Sequence, residues 1–206
     1  MGNRYKDGRT IIQYFSINSF ATNYRFLRRE EIEKLFSSLK LSTPVHIRAY
    51  AMVHLAYSLG LRPDEIRKIT LDDISFGKGE LALPERKGDT PITLPIPEQT
   101  IKAIALYLTK ARPKTLSRRL FLTFHYPYRP LSSNKVSYHI STSMKQAGLS
   151  ATAYWLRHTY AQNLLEMGQS IYEIKEMLGH QNIQHTQSYL HINTELMRKV
   201  LFDETL

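Results

Sequence analysis

Three reactive residue types stand near the C-terminal end of the chain: Arg157, His180 and Tyr189. All three lie within residues 154–192, which read YWLRHTYAQNLLEMGQSIYEIKEMLGHQNIQHTQSYLHI. The planar fork of an arginine can bind two phosphate oxygens, and a histidine can donate to a third. A tyrosine phenol can attack the phosphorus and leave a phosphotyrosine. Together these residues predict phosphodiester cleavage that needs no metal ion.

The composition favours one main domain and a negatively charged partner. The chain has 206 residues, of which 42% are hydrophobic, enough to bury one substantial core. Its 28 Lys and Arg against 18 Asp and Glu give a formal net charge of +10. Because neutralised phosphates release condensed counterions, this excess favours nucleic acid as the partner. A basic surface that serves solubility alone is the alternative.

The sequence has no feature that indicates disulfide bonds, a thiolate zinc site, a membrane span or a signal peptide. It has no cysteine, so it predicts neither disulfide bonds nor a thiolate zinc site. Polar residues interrupt the apolar stretch from Ile11 to Phe20, and no run approaches the roughly 20 apolar residues that span a bilayer. Nothing resembles a signal peptide. We therefore expect a cytoplasmic protein with no membrane partner.

A mainly helical chain is expected to position the reactive residues. Residues 1–26 lack clear periodicity and are interpreted as an arm or linker. Apolar residues then recur at helical spacing, and a second helix follows Pro44 and ends at Gly60. Because Pro63 suits the first position of a third helix, Arg62 is expected at a helix junction.

One segment interrupts the helical pattern. Residues 79–96, GELALPERKGDTPITLPI, hold two short apolar runs around a charged turn and predict a β-hairpin with Lys87 near its tip. Helices are expected at 97–111, 132–146 and 153–167, and Ser170 with Glu173 forms a capping-box signature for one more. The predicted fold class is mainly α with a small antiparallel β-sheet (α+β).

Five short motifs follow one another in a set order. They are Gly-Leu-Arg-Pro-Asp-Glu at 60–65, Arg-Lys-Gly at 86–88, Leu-Arg-His-Thr at 156–159, Leu-Gly-His at 178–180, and Tyr189. In these motifs the chain resembles the catalytic domain of the tyrosine recombinases, also called the phage integrase family, from about Phe26 to its end. Any single motif would be weak, whereas five in the right order are specific.

The resemblance implies a site-specific DNA recombinase or integrase that cleaves and rejoins strands through a covalent 3′-phosphotyrosine, without metal, ATP or another cofactor. The catalytic residues that it implies are Arg62, Lys87, Tyr154, Arg157, His180 and Tyr189. The two arginines and the histidine would bind the scissile phosphate. Lys87 would protonate the departing 5′ oxygen, and Tyr189 would be the nucleophile.

Each of these residues also has a purely structural interpretation. Arg62 could form a surface ion pair with Glu65 or its neighbour Asp64, and Arg157 could be a solvated helix residue. A charged hairpin tip such as Lys87 is usually solvated, and His180 could cap a helix. Only their joint placement in the five motifs favours catalysis.

Tyr154 departs from the commonest pattern of the family, in which a histidine begins the motif that ends in the second arginine. A phenol with a pKa near ~10 can donate a hydrogen bond to a phosphate oxygen, but it brings no charge and is a poor base at neutral pH. The resemblance further places Glu65 and His158 behind the phosphate-binding residues. Glu65 would support the arginines or His180, and His158 would be buried.

The resemblance divides the chain into an arm, residues 1–26, and a catalytic domain, residues 27–206. Relatives usually carry an N-terminal helical domain that closes around the DNA, and the 26 residues before the catalytic domain are too few to form it. We therefore expect either an excised catalytic half or a short recombinase without that domain. Residues 194–206 have helical spacing and either pack on their own domain or exchange between protomers. The implied partner is double-stranded DNA, on which the protein would form a tetramer from a monomer in solution.

Three other functions fit parts of the sequence. A DNA-binding protein could keep this fold without catalysis, and a type IB topoisomerase shares the same chemistry. A metal hydrolase would need His180, His185 and His191, but their spacing does not place them on one helix face.

Overall fold

In a computed structural model of the chain, residues 26–84 and 91–178 are described. This part of the chain forms seven α-helices and three β-strands. The helices are α1 (Arg29–Ser38), α2 (Pro44–Ser58), α3 (Pro63–Lys68), α4 (Glu98–Lys110), α5 (Ser133–Gln146), α6 (Ala153–Glu166) and α7 (Ile171–Leu178). The strands are β1 (Ile74–Ser75), β2 (Glu80–Leu83) and β3 (Ile92–Pro95).

Helix α2 lies at the centre of the fold. Its residues from Arg48 to Ala56 are buried apart from Tyr50, because the helix packs against α4, α5 and α6 on different sides. Thr43 begins the helix by accepting a hydrogen bond from the His46 N–H at 3.2 Å, and Pro44 occupies the first turn. Helices α4, α5 and α6 therefore take their positions from α2.

The three strands form one antiparallel sheet in the order β1, β2, β3. Leu81 pairs with Ile74 on one side and with Leu94 on the other, and all three side chains are buried. The sequence predicted β2 and β3 as a hairpin and did not predict β1, because a strand of two residues carries no alternating pattern. The segment 85–90, which joins β2 to β3 and holds Lys87, lies outside the described residues.

Helices α6 and α7 meet in a small apolar cluster separate from the main core. The cluster consists of Ala161, Leu164, Leu165, Ile174 and Leu178. The predicted capping box starts α7: the Ser170 N–H donates to Glu173 Oε2 at 2.8 Å, and the Glu173 N–H donates to Ser170 Oγ at 3.3 Å. Leu178, which belongs to this cluster, is the last described residue of the chain.

The architecture confirms the predicted fold class, mainly α with a small antiparallel sheet. Within residues 26–84 and 91–178, no helix is both long enough and apolar enough to span a membrane. The same ranges hold no cluster of three His, Cys, Asp or Glu side chains that could bind a metal ion.

Candidate active site

The first arginine stands where a glycine turn leads into α3. Gly60 ends the α2 region with φ 61°, a left-handed conformation that glycine adopts readily. A Cβ atom at this position would lie 2.5 Å from Tyr160 Cδ1, so α6 also requires glycine here. Pro63 occupies the first turn of α3 and Arg62 is its N-cap residue, as the sequence predicted.

Glu65 brings the two predicted arginines together. Its Oε2 accepts the backbone N–H of Arg62 at 2.7 Å, and its Oε1 accepts Arg62 Nη1 at 2.9 Å. Arg157 Nη1 lies 3.7 Å from Oε2 of the same carboxylate. The Glu65 side chain is only 5% exposed. Two guanidinium groups therefore share one buried carboxylate, and the three side chains keep a net charge of +1.

Arg157 connects two distant parts of the backbone. Its Nη1 donates to the Gly60 carbonyl at 2.7 Å, and its Nη2 donates to the Leu178 carbonyl. The side chain is 2% exposed, so the solvated-helix interpretation of this residue is wrong. Because a buried charge is tolerated only when it is paired and hydrogen-bonded, these carbonyls and Glu65 explain how it is held.

Arg157 donates to the carbonyl of a residue that is close in the sequence to His180. Leu178 is the last residue of α7 and the last described residue of the chain. Only Gly179 separates it from His180 in the sequence. The guanidinium of Arg157 is thus bonded to the residue from which the chain continues to His180 and Tyr189.

Tyr154 and His158 lie one turn apart on α6, the helix that also carries Arg157. Their ring centroids are 4.2 Å apart with an interplanar angle of 87°, an edge contact. Tyr154 is 52% exposed, whereas His158 is buried as the sequence predicted. Burial and the neighbouring Arg157 charge lower the pKa of His158 to about 4. His158 is therefore neutral at physiological pH.

A cavity of about 200 Å³ opens beside the shared carboxylate. Glu65 forms part of its wall together with Lys68 and Arg119. Leu83 and Pro84 also line it, and they directly precede the segment that carries Lys87. The sequence motifs did not indicate Lys68 or Arg119 as part of this environment.

The structure thus brings Arg62, Glu65 and Arg157 into contact, with Tyr154 and His158 on the helix that carries Arg157. Lys87, His180 and Tyr189 lie outside the described residues, as do His185, His191 and the C-terminal stretch 194–206. Their roles stay predictions.

The distribution of charge along the chain was a further signal in the sequence. Residues 99–165 contain ten Lys and Arg and not one Asp or Glu. The rest of the chain holds 18 Lys and Arg and 18 Asp and Glu, so the whole formal charge of +10 arises in this stretch. It covers most of α4, all of α5 and nearly all of α6. Arg119, at the cavity, belongs to it.

Comparison with known proteins agrees with this geometry. Residues 25–195 match the phage integrase family. The tyrosine recombinase XerD of Listeria innocua is 31% identical over 185 residues, which are 87% of this chain and 62% of that protein. The chain spans less than two thirds of the length of the curated relatives that it matches.

Two solved structures show the same fold. XerH site-specific recombinase, in a post-cleavage complex with palindromic difH substrate, superposes with a TM-score of 0.73 at 19% identity, covering 90% of this chain and 55% of that one. The catalytic domain of bacteriophage HP1 integrase gives a TM-score of 0.59 at 21% identity, covering 88% of this chain and 96% of that one. The predicted tyrosine recombinase catalytic fold is confirmed.

Proposed function

The chain belongs to the phage integrase family, and we propose that it is a site-specific recombinase or integrase that cuts and rejoins DNA strands through Tyr189. The observation that carries this proposal is the pair of arginines, Arg62 and Arg157, held by one carboxylate. A phosphodiester carries one negative charge, which would neutralise the +1 that the three side chains retain. Phosphoryl transfer is catalysed chiefly by such positioning and charge stabilisation.

In the proposed reaction, the Tyr189 phenol oxygen attacks the scissile phosphorus and the bond to the 5′ oxygen breaks. The products are a 3′-phosphotyrosine and a free 5′ hydroxyl, to which Lys87 supplies the proton. Arg62, Arg157 and His180 bind the non-bridging oxygens. Because the phosphotyrosine conserves the bond energy, attack by another 5′ hydroxyl reverses the step and joins strands without ATP.

Tyr154 is proposed to donate its phenol proton to a phosphate oxygen. Its 52% exposure leaves it accessible to DNA, and its edge contact with His158 orients the ring. Neither residue suits the role of base towards Tyr189. A neutral phenol is a poor base, and burial and the Arg157 charge lower the pKa of His158 to about 4. Proton transfer from the nucleophile therefore needs another acceptor.

Double-stranded DNA is the proposed partner, and XerH, which has this fold, is bound to its palindromic difH substrate in the solved complex. The acid-free stretch 99–165 supports the proposal, because DNA attracts an uninterrupted positive charge. We further propose that a monomer in solution assembles as a tetramer on DNA. The compartment that we propose is the cytoplasm.

The test uses a pool of duplexes with a nick close to each potential cleavage site. The short fragment released by cleavage diffuses away, so a covalent adduct accumulates and resists denaturation. We expect an adduct with the unmodified chain and none with Tyr189→Phe. Tyr172→Phe is the matched control, since Tyr172 is 68% exposed on α7 and should leave the adduct unchanged. An adduct that persists in Tyr189→Phe would exclude the assignment.

A second function, DNA binding without catalysis, is favoured by the inward position of Arg157, which bonds two backbone carbonyls and is 2% exposed. Under this alternative the unmodified chain would bind DNA but form no adduct. Binding would also survive Tyr189→Phe.

A further inference from the structure

A second buried arginine lies away from the candidate active site. Arg48 is in α2 and only 4% exposed, and it joins three parts of the fold. Its Nη1 donates to the Leu122 carbonyl, and its Nη2 lies 2.8 Å from His139 Nε2 on α5. Its guanidinium carbon stands 4.3 Å from the centroid of the Phe124 ring.

These contacts determine where the proton of His139 resides. A guanidinium has donors only, so His139 Nε2 must accept the hydrogen bond from Arg48. The ring is then neutral, and its proton is on Nδ1. Burial and the charges of Arg48 and Lys135 lower the pKa of His139 to about 4, which agrees with a neutral ring. Among the described residues, Nδ1 has no hydrogen-bond partner.

The Nδ1–H donor of His139 is on α5, and the neighbouring side chains on the outer face of this helix can form hydrogen bonds. Lys135, one turn earlier, is exposed, and Thr142, one turn later, is partly exposed. Tyr138 is 62% exposed and contacts the His139 ring at 5.5 Å between centroids. Helix α5 contains no Asp or Glu. This face can therefore approach DNA without repulsion.

Arg48 also holds the loop next to α5. Leu122 and Pro130 form a bridge that closes the loop, and the Thr123 N–H donates to the Arg129 carbonyl at 2.8 Å. Arg129 is exposed. One buried arginine thus fixes both the histidine on α5 and the base of a basic loop beside it.

We propose that His139 is a specificity-determining residue, which donates its Nδ1–H to an acceptor on a base edge of the bound DNA, and that Arg48 is the residue that positions it. The inference rests on the proposed function, since it needs DNA as the partner. A neutral, rigidly held donor adds little to phosphate attraction, which depends on charge. It does distinguish base edges, because guanine, adenine and thymine present acceptors in the major groove and cytosine presents a donor.

The experiment selects DNA from a random duplex pool with the full chain at low salt and compares the enriched base preferences. Two substitutions of His139 test the roles of its two ring nitrogens separately. The amide nitrogen of asparagine can occupy the place of Nδ1, whereas the amide of glutamine reaches the place of Nε2. His139→Asn should keep the base preference, and His139→Gln, which keeps the Arg48 contact, should lose it. We expect discrimination at one or two base positions to fall by about 2- to 10-fold in His139→Gln.

The matched control is His46→Gln, since His46 is a partly exposed histidine on α2 whose ring lies within hydrogen-bond distance of Ser42 at 3.1 Å. This variant should select the same sequences as the unmodified chain. Thermal unfolding of each variant shows whether it is folded. Arg48→Lys should weaken the same base positions as His139→Gln, because an ammonium cannot hold both the histidine and the Leu122 carbonyl.

Each of the following outcomes would overturn the inference. If His139→Gln selects the same bases as the unmodified chain, the donor does not contact DNA. A uniform loss of binding across all sequences would assign His139 to a phosphate rather than a base. If the unmodified chain enriches no DNA and forms no adduct, both this inference and the proposed function fail. An adduct without altered base preference in the variants would overturn only the inference.

Discussion

Arg157 and Arg48 are both buried arginines that hold distant backbone segments together, yet their surroundings differ. Arg157 lies 3.7 Å from a carboxylate that also binds Arg62. In the described part of the chain, no carboxylate lies within 4.0 Å of Arg48, whose charge is met by a carbonyl, an aromatic ring and a neutral histidine. Burial accordingly lowers the pKa of Arg48.

The difference indicates what each arginine can do. Arg62 is 30% exposed, so the cluster around Arg157 retains its excess positive charge where solvent and a phosphate can reach it. Arg48 is enclosed on all sides, and its charge serves to orient neighbours. The same side chain therefore suits phosphate binding at one position and structural positioning at the other.

The largest effect is expected for Arg157→Lys. An ammonium cannot reach the Gly60 and Leu178 carbonyls together, so the free energy of unfolding should fall by about 3 kcal/mol. Adduct formation should fall by about 10²-fold or more, because charge stabilisation of the phosphate is lost. Chemical denaturation and the rate of adduct formation measure both changes.

Arg67→Lys is the matched control for this substitution. Arg67 pairs with Asp64 at 2.6 Å, but both side chains are substantially exposed, so its replacement should change stability and adduct rate little. If Arg157→Lys kept an adduct rate within a few-fold of the unmodified chain, the distinction between the two buried arginines would be lost.

The second prediction concerns the neutral histidine beside each arginine. The pKa values of His158 and His139 are lowered to about 4, chiefly by burial, while an unfolded histidine titrates near ~6.5. Between these values the unfolded state binds more protons than the folded state. The contribution of these histidines to the free energy of unfolding therefore falls as pH decreases from about 6.5 to 4, and it is constant above this range.

The loss should be on the order of 2 kcal/mol per histidine at the acid end of that window. His54, whose pKa is also lowered to about 4, should contribute in the same direction. Denaturant unfolding at several pH values measures the slope, which His158→Gln and His139→Gln should each reduce. If neither substitution changes the slope of unfolding free energy against pH, these two histidines are not its cause.

Of the two substitutions of a buried arginine, Arg48→Met is expected to have the smaller effect. Methionine fills a similar space without charge, but the Leu122 carbonyl and His139 lose their donor, which should cost about 1–3 kcal/mol of unfolding free energy. Adduct formation on a random pool should fall far less than in Arg157→Lys. A loss as large as that of Arg157→Lys, in a variant that is still folded, would place Arg48 in the catalytic chemistry.

Much of the fold could be predicted from the sequence because helix ends are marked by residues that are close together in the chain. Gly60, Pro63 and the Ser170–Glu173 capping box mark helix ends through the conformations and hydrogen bonds of neighbouring residues. The two-residue strand β1 was missed because its pairing with β2 is a contact between segments, with no pattern of its own. The cavity that Lys68 and Arg119 line was missed for the same reason.

The sequence alone determined the candidate chemistry, since Arg62, Lys87, Arg157, His180 and Tyr189 are recognised by residue type and order. It also held the acid-free stretch 99–165, which is a property of composition. Only the tertiary structure decided that Arg157 turns inward to two carbonyls, that Glu65 is shared, and that Arg48 orients His139. Arg48 and His139 are 91 residues apart, so no spacing rule relates them. Packing of α2 against α5 brings them together, and that contact exists only in the folded chain.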